Sequence, residues 1–120
     1  MSREEEARLQ DILDRISAAR AAESVLERAE RDGDARAAAV ALDAILYDLV
    51  VIGEAVKHLP TSAKLRRPEV PWRAVAGMRD VLAHSYFEVS SAVVRSTLDE
   101  PLSVLREACL ALQSRRHERS

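Results

Sequence analysis

The sequence predicts an all-α protein, an antiparallel bundle of four main helices with room for one short extra helix. Three observations lead there. Apolar residues recur at three- and four-residue spacings through long stretches free of Gly and Pro. Three Gly and four Pro in 120 residues are too few for the tight turns of an all-β fold. Aromatic residues make up only 3% of the chain, so the core must be built from Leu, Ile, Val and Ala. With 48% apolar and 32% charged residues, residues 1–120 read as a single domain with one real core.

The first helix is expected from about Glu4 to Glu30. Leu9, Ile12, Leu13, Ile16, Ala19 and Leu26 form its inward stripe, and Ser2 with Glu5 is placed to form a capping box. Asp32-Gly33-Asp34 breaks the pattern, and Asp34 can cap the next helix. That second helix, about Ala35 to Leu59, is the most apolar. Ala38, Leu42, Ile45, Leu49, Ile52, Val56 and Leu59 make a bundle seam, and Leu46, Val50 and Val51 widen it. So broad an arc implies more than one neighbour, within the bundle or across a dimer interface. Gly53 is unfavourable in mid-helix unless another backbone comes close.

Pro60 ends the second helix, and Thr61 to Val70 is a connector with space for one helical turn at 62–66. Pro71 suits the first turn of a third helix, about Pro71 to Tyr86. Ser90 can cap a short helix reaching about Leu98, and Pro101 opens a last one with Leu102, Leu105, Cys109 and Leu112 inward. The polar tail 114–120 is expected to fray.

Eighteen basic against twenty acidic residues give a net charge of −2, so the chain does not coat nucleic acid by bulk charge. Any RNA contact must be local or shared between subunits. A single Cys109 excludes an intramolecular disulfide and a Cys-based zinc site. No apolar run approaches the roughly 18 residues of a membrane span, and the acidic start, Met1 to Glu6, does not read as a signal peptide. A cytoplasmic protein that does not engage a membrane is expected.

The third helix departs from ordinary bundle composition. Trp72, Arg79 and Tyr86 are seven apart and share a face, whereas Asp80 and His84 are four apart on a neighbouring one. Arg79 and His84 stand about 140° apart on an ideal helix. One helix therefore aims them at different places, unless they converge at its end or copies from two subunits meet. On spacing alone, a local Asp80–His84 pair near a helix C-terminus and a snorkelling Arg79 account for the pattern better than a site does.

The stretch Pro71-Trp72, Gly77-Met78-Arg79, Leu82, His84 and Tyr86-Phe87 resembles the signature of the HepT toxins, a branch of the HEPN superfamily. The hallmark is Arg, four residues, His, one residue, Tyr. Ile52-Gly53-Glu54-Ala55 is similar to the family's corresponding segment, and the layout agrees over nearly the whole chain. Asp80 stands where related sequences frequently carry Asn. The resemblance implies a HEPN-like fold and a homodimer whose two motifs form one composite site. The implied activity is metal-independent RNA cleavage, without a cofactor, as the toxin of a toxin–antitoxin pair. It implies Arg79 and His84 as catalytic residues and Tyr86 as the acceptor of AMP from an MntA-like nucleotidyltransferase antitoxin. The competing implication is a non-catalytic HEPN-like module that binds nucleotides or a nucleotidyltransferase partner.

Other residues carry weaker signals. Tyr47, Val51, Glu54 and His58 share a face of the second helix. Glu54 and Asp80 are candidates to orient Arg79 or His84, and for Glu54 a local pair with His58 is an equal alternative. Lys64, Arg66 and Arg67 form a compact basic run suited to guiding RNA or to an acidic partner, although an ordinary solvated connector is the safer reading. Arg73 is a further phosphate candidate, although a solvent-facing role explains it better.

Overall fold

The computed structural model describes residues 2–85, 96 and 98–119; for 79, 81–85 and 115–119 it describes the backbone alone. The described residues form five helices and no strand: α1 (Arg3–Asp32), α2 (Ala35–Lys57), α3 (Thr61–Leu65), α4 (Trp72–Ser85) and α5 (Glu100–Arg119). The sequence-based expectation of an all-α bundle holds.

Local chemistry sets the ends. The Glu5 backbone N–H donates to Ser2 Oγ at 3.2 Å, which caps α1. At the other end Gly33 adopts φ 68°, a left-handed conformation that costs Gly nothing. That turn lets the Asp34 N–H reach the Ala29 carbonyl at 2.9 Å. Asp34 Oδ1 then accepts from the Ala37 N–H at 3.0 Å and starts α2. With Gly33 and Asp34 alone between them, α1 and α2 fold back as an antiparallel hairpin. Arg15 of α1 accordingly meets Asp48 of α2.

At about 1.5 Å per residue, the 30 residues of α1 account for most of the 50 Å long axis. α5 lies antiparallel along α1. Arg20 Nη2 donates to the Asp99 carbonyl at 3.1 Å and to Ser103 Oγ at 2.9 Å. Further along, Gln113 Nε2 donates to Gln10 Oε1 at 3.1 Å. α4 packs against α2, which is thereby covered by two helices, as its broad apolar arc requires.

The core is aliphatic. Leu9, Ile12 and Ile16 of α1 meet Ile45, Leu49, Ile52 and Val56 of α2 and Leu102, Leu105 and Leu112 of α5. The expected stripes are buried, apart from Leu13, Ala38, Leu42, Val50 and Val51, which are half-buried. Cys109 is fully buried, and burial pushes its thiol up to about 12, so it fills core volume and is no nucleophile.

Several boundaries differ in detail: α1 runs on to Asp32 and α2 stops at Lys57, two residues before the expected Leu59. Pro71 precedes α4 instead of lying in its first turn: its carbonyl accepts from the Val75 N–H at 3.0 Å, so Trp72 is the first helical residue. The connector's helical turn is Thr61–Leu65, one residue earlier than expected. α5 is helical through Arg119, across most of the 114–120 segment expected to fray. The helix expected between Ser90 and Leu98 falls largely outside the described residues.

Candidate functional site

The candidate site is built on α4, so the way α4 is held matters first. Trp72 supplies the anchor. Its indole N–H is shared between the Lys64 carbonyl at 3.0 Å and the Arg67 carbonyl at 2.9 Å. This ties the first turn of α4 to the end of α3, adding a side-chain donor to two carbonyls that also accept from the Arg67 and Val70 N–H groups. Val70 and Val75 are buried beside it, and Trp72, Ala76 and Met78 pack against the core.

These burials orient the whole helix. Trp72, Val75 and Ala76 define the stripe turned to α2, and Arg79 is the next register position on it, four beyond Val75 and three beyond Ala76. The opposite stripe runs through Arg73, Gly77, Asp80 and His84. Arg73 and Asp80 are exposed, and Gly77 is half-buried with open space where a Cβ would stand. The backbone thus puts Arg79 in line with the packed face and His84 in line with the exposed one, about 7.5 Å apart along the axis. Within one chain the two positions belong to different faces of α4. Asp80 shares its stripe with His84, one turn earlier. Tyr86 lies outside the described residues.

The other candidates are placed as follows. Glu54 is half-buried on α2 and pairs with His58 at 3.7 Å, the local alternative weighed for it. Tyr47, at 63% exposure, lies on the solvent side of α2. Arg67 is engaged by Glu69, with Nη2 2.6 Å from Oε2, whereas Arg66 and Arg73 are exposed and Lys64 is half-buried. Among the described residues, no group of His, Cys, Asp and Glu could hold a metal ion, and no helix is long and apolar enough to cross a membrane.

One residue escaped the sequence reading. Asp48 is 4% exposed on the inward side of α2, held by Arg15 Nη1 at 3.2 Å. Burial pushes its carboxyl above the ordinary range, against the hydrogen bond and charge of Arg15, which pull it down. The available signal was a lone Asp one turn from Ile45 and Ile52 in an otherwise apolar stripe. Its place between α1 and α2, on the helix pair that supports α4, makes it structural.

Comparison with known proteins shows the family of the chain as a whole. The family described as "Ribonuclease HepT-like" matches residues 4–112. A protein of Thermococcus cleftensis named "Probable ribonuclease HepT" is 43% identical over 63 residues, which are 52% of this chain and 57% of that protein. A Caldanaerobacter subterraneus protein named "Putative RNase" is 44% identical over 55 residues, 46% of this chain and 49% of its own. A similarly named Methanocaldococcus jannaschii protein is 43% identical over 51 residues, 42% of each chain. The matched region thus spans about half the length of these curated relatives. No solved structure matches the chain significantly.

Proposed function

We propose, from the premise that this chain belongs to the HepT-like ribonuclease family, that it cleaves RNA without a metal ion, as a cytoplasmic homodimeric toxin. In this reading an MntA-like nucleotidyltransferase antitoxin silences it by placing AMP on Tyr86. The observation that carries the reading is the register of α4. Arg79 continues the packed stripe of Trp72, Val75 and Ala76, whereas His84 continues the stripe of Arg73 and Asp80. A phosphate needs both groups, and a twofold pairing of α4 helices supplies them from two directions.

RNA carries its own nucleophile. The 2′-hydroxyl attacks the adjacent phosphorus, its proton passes to a base, and the bond to the 5′-oxygen breaks as that oxygen takes a proton from an acid. The products are a 2′,3′-cyclic phosphate and a 5′-hydroxyl. Histidine titrates near neutrality and serves as either base or acid, and a dimer brings two copies of His84. Arg79 holds the phosphate and stabilises the charge that builds on its oxygens. In this reading Asp80, one turn before His84 in register, orients it.

AMP on Tyr86 adds a phosphodiester charge and a purine near a site meant for RNA phosphate, which blocks it. The net charge of −2 favours a second reading, a non-catalytic module that binds a nucleotide or a nucleotidyltransferase. Incubation of the unmodified protein with RNA in EDTA separates the two. Cleavage leaving 2′,3′-cyclic ends supports the ribonuclease. A requirement for a divalent metal overturns the mechanism, and no cleavage under any condition leaves the binding module.

A further inference from the structure

We propose that Lys64, Arg66 and Arg73, at the start of α4, form the track that holds the RNA strand beside the cleavage site through its phosphates. This rests on the ribonuclease reading above and adds to it the surface on which the strand lies.

The charge of this chain is segregated. Between residues 57 and 73 there are five Lys and Arg and the single carboxylate of Glu69, in a chain whose net charge is −2. The remainder is acidic on balance, and this stretch is the basic one that leads directly into the motif helix. Glu69 does not cancel it locally, because it is already taken by Arg67. Lys64, Arg66 and Arg73 have no hydrogen-bond or ion-pair partner for their side chains among the described residues. Arg66 and Arg73 are exposed and Lys64 is half-buried. Among the described residues these cations carry no counter-charge, so together they set up a positive potential that attracts an anion.

The fold gathers these residues. The Trp72 indole grips the carbonyls of Lys64 and Arg67 while Trp72 itself begins α4, next to Arg73. The α3 cations are thereby fixed against the helix that carries the motif. In helical register Arg73 also shares its stripe with Gly77, Asp80 and His84. From Arg73 to His84 is about 16 Å at 1.5 Å per residue, a span of roughly five stacked nucleotides at 3.4 Å each. A strand cut at His84 thus extends naturally along the helix to the basic corner. An acidic protein partner is the other polyanion that fits this chemistry, but only RNA must also reach His84 along the same stripe.

The test uses the full chain and a triple variant, Lys64→Ala, Arg66→Ala and Arg73→Ala, all at positions where Ala supports or tolerates helix. The probe is a fluorescein-labelled 20-nucleotide 2′-O-methyl RNA, which cannot be cut because it lacks the nucleophile. Removing one cation–phosphate pair should lower the slope of log affinity against log salt by about 0.7. Between 50 and 200 mM salt, wild-type binding should therefore fall about 20-fold more than binding by the variant. Cleavage of a dinucleotide should be unchanged in the variant, whereas cleavage of a long unmodified RNA should weaken through KM. If wild type cuts RNA and the triple variant keeps its salt slope and its long-RNA KM, the track is wrong and the ribonuclease stands. If wild type neither binds nor cuts RNA, the ribonuclease reading falls and the track falls with it.

Discussion

The indole N–H of Trp72 lies 2.9 Å from the Arg67 carbonyl and 3.0 Å from that of Lys64, so one side chain welds the motif helix to the connector before it. Helix α4 owes its position to this bond and to the burial of Val75 against the core. Both lie at the N-terminal end of α4, away from His84. Removing the bond should therefore loosen the basic corner before it disturbs the chemistry.

Trp72→Phe keeps an aromatic ring and loses the donor. We expect a loss of about 1 kcal/mol, the net worth of one partly buried hydrogen bond. Urea denaturation should show a lower midpoint with an unchanged slope. Cleavage of long RNA should drop more than cleavage of a dinucleotide.

Arg15 and Asp48 make stability depend on pH. Asp48 is raised above its ordinary 3.8 by burial, despite Arg15. A raised carboxyl binds its proton more tightly in the folded state than in the unfolded state. Its contribution to stability is therefore greatest below about pH 3.8 and is lost as pH rises through the folded value. In urea titrations, stability should fall with rising pH above 4 more in wild type than in Asp48→Asn, which cannot ionise. Arg15→Ala should cost about 1–3 kcal/mol at pH 7, because it strands the Asp48 carboxylate. Equal pH dependence in wild type and Asp48→Asn would refute the assignment.

His84→Ala should reduce RNA cleavage by about 10² to 10⁴-fold, the usual contribution of a general acid–base group. Arg79→Ala should be impaired to a similar degree in kcat, since its charge acts on the transition state. Light scattering should find a dimer at micromolar concentration. A protein that remains monomeric while cutting RNA at full rate would remove the composite site.

Tyr86 should gain the mass of AMP when the protein is incubated with its nucleotidyltransferase, ATP and Mg²⁺, and cleavage should fall in step with modification. Tyr86→Phe removes only the hydroxyl and should escape modification. If that hydroxyl also positions RNA, the variant will be unmodified and weak. Peptide mass spectrometry that locates AMP on Tyr47, or on no residue at all, assigns control elsewhere.

Helix ends and core stripes were legible because their causes are local. Ser2, Gly33, Asp34 and Pro60 act within one turn of the chain, and the spacing of Leu9, Ile12, Ile16, Ile45, Leu49 and Ile52 is itself the reason those residues share a buried face. Spacing also sets the angle between Arg79 and His84 on α4, but spacing alone favours a local pair, and it is the resemblance to the HepT family that singles these residues out. Residues such as Asp48 and Trp72 were not, because their meaning depends on partners far along the chain or across a turn. Nothing near Asp48 in sequence announces Arg15, 33 positions away, and the partners of the Trp72 indole are backbone carbonyls, which every residue possesses. The face of α4 that turns inward also had to come from packing. A helix with Trp72, Val75 and Ala76 on one side and Arg73 and Asp80 on the other acquires an inside and an outside only when α2 covers one of them.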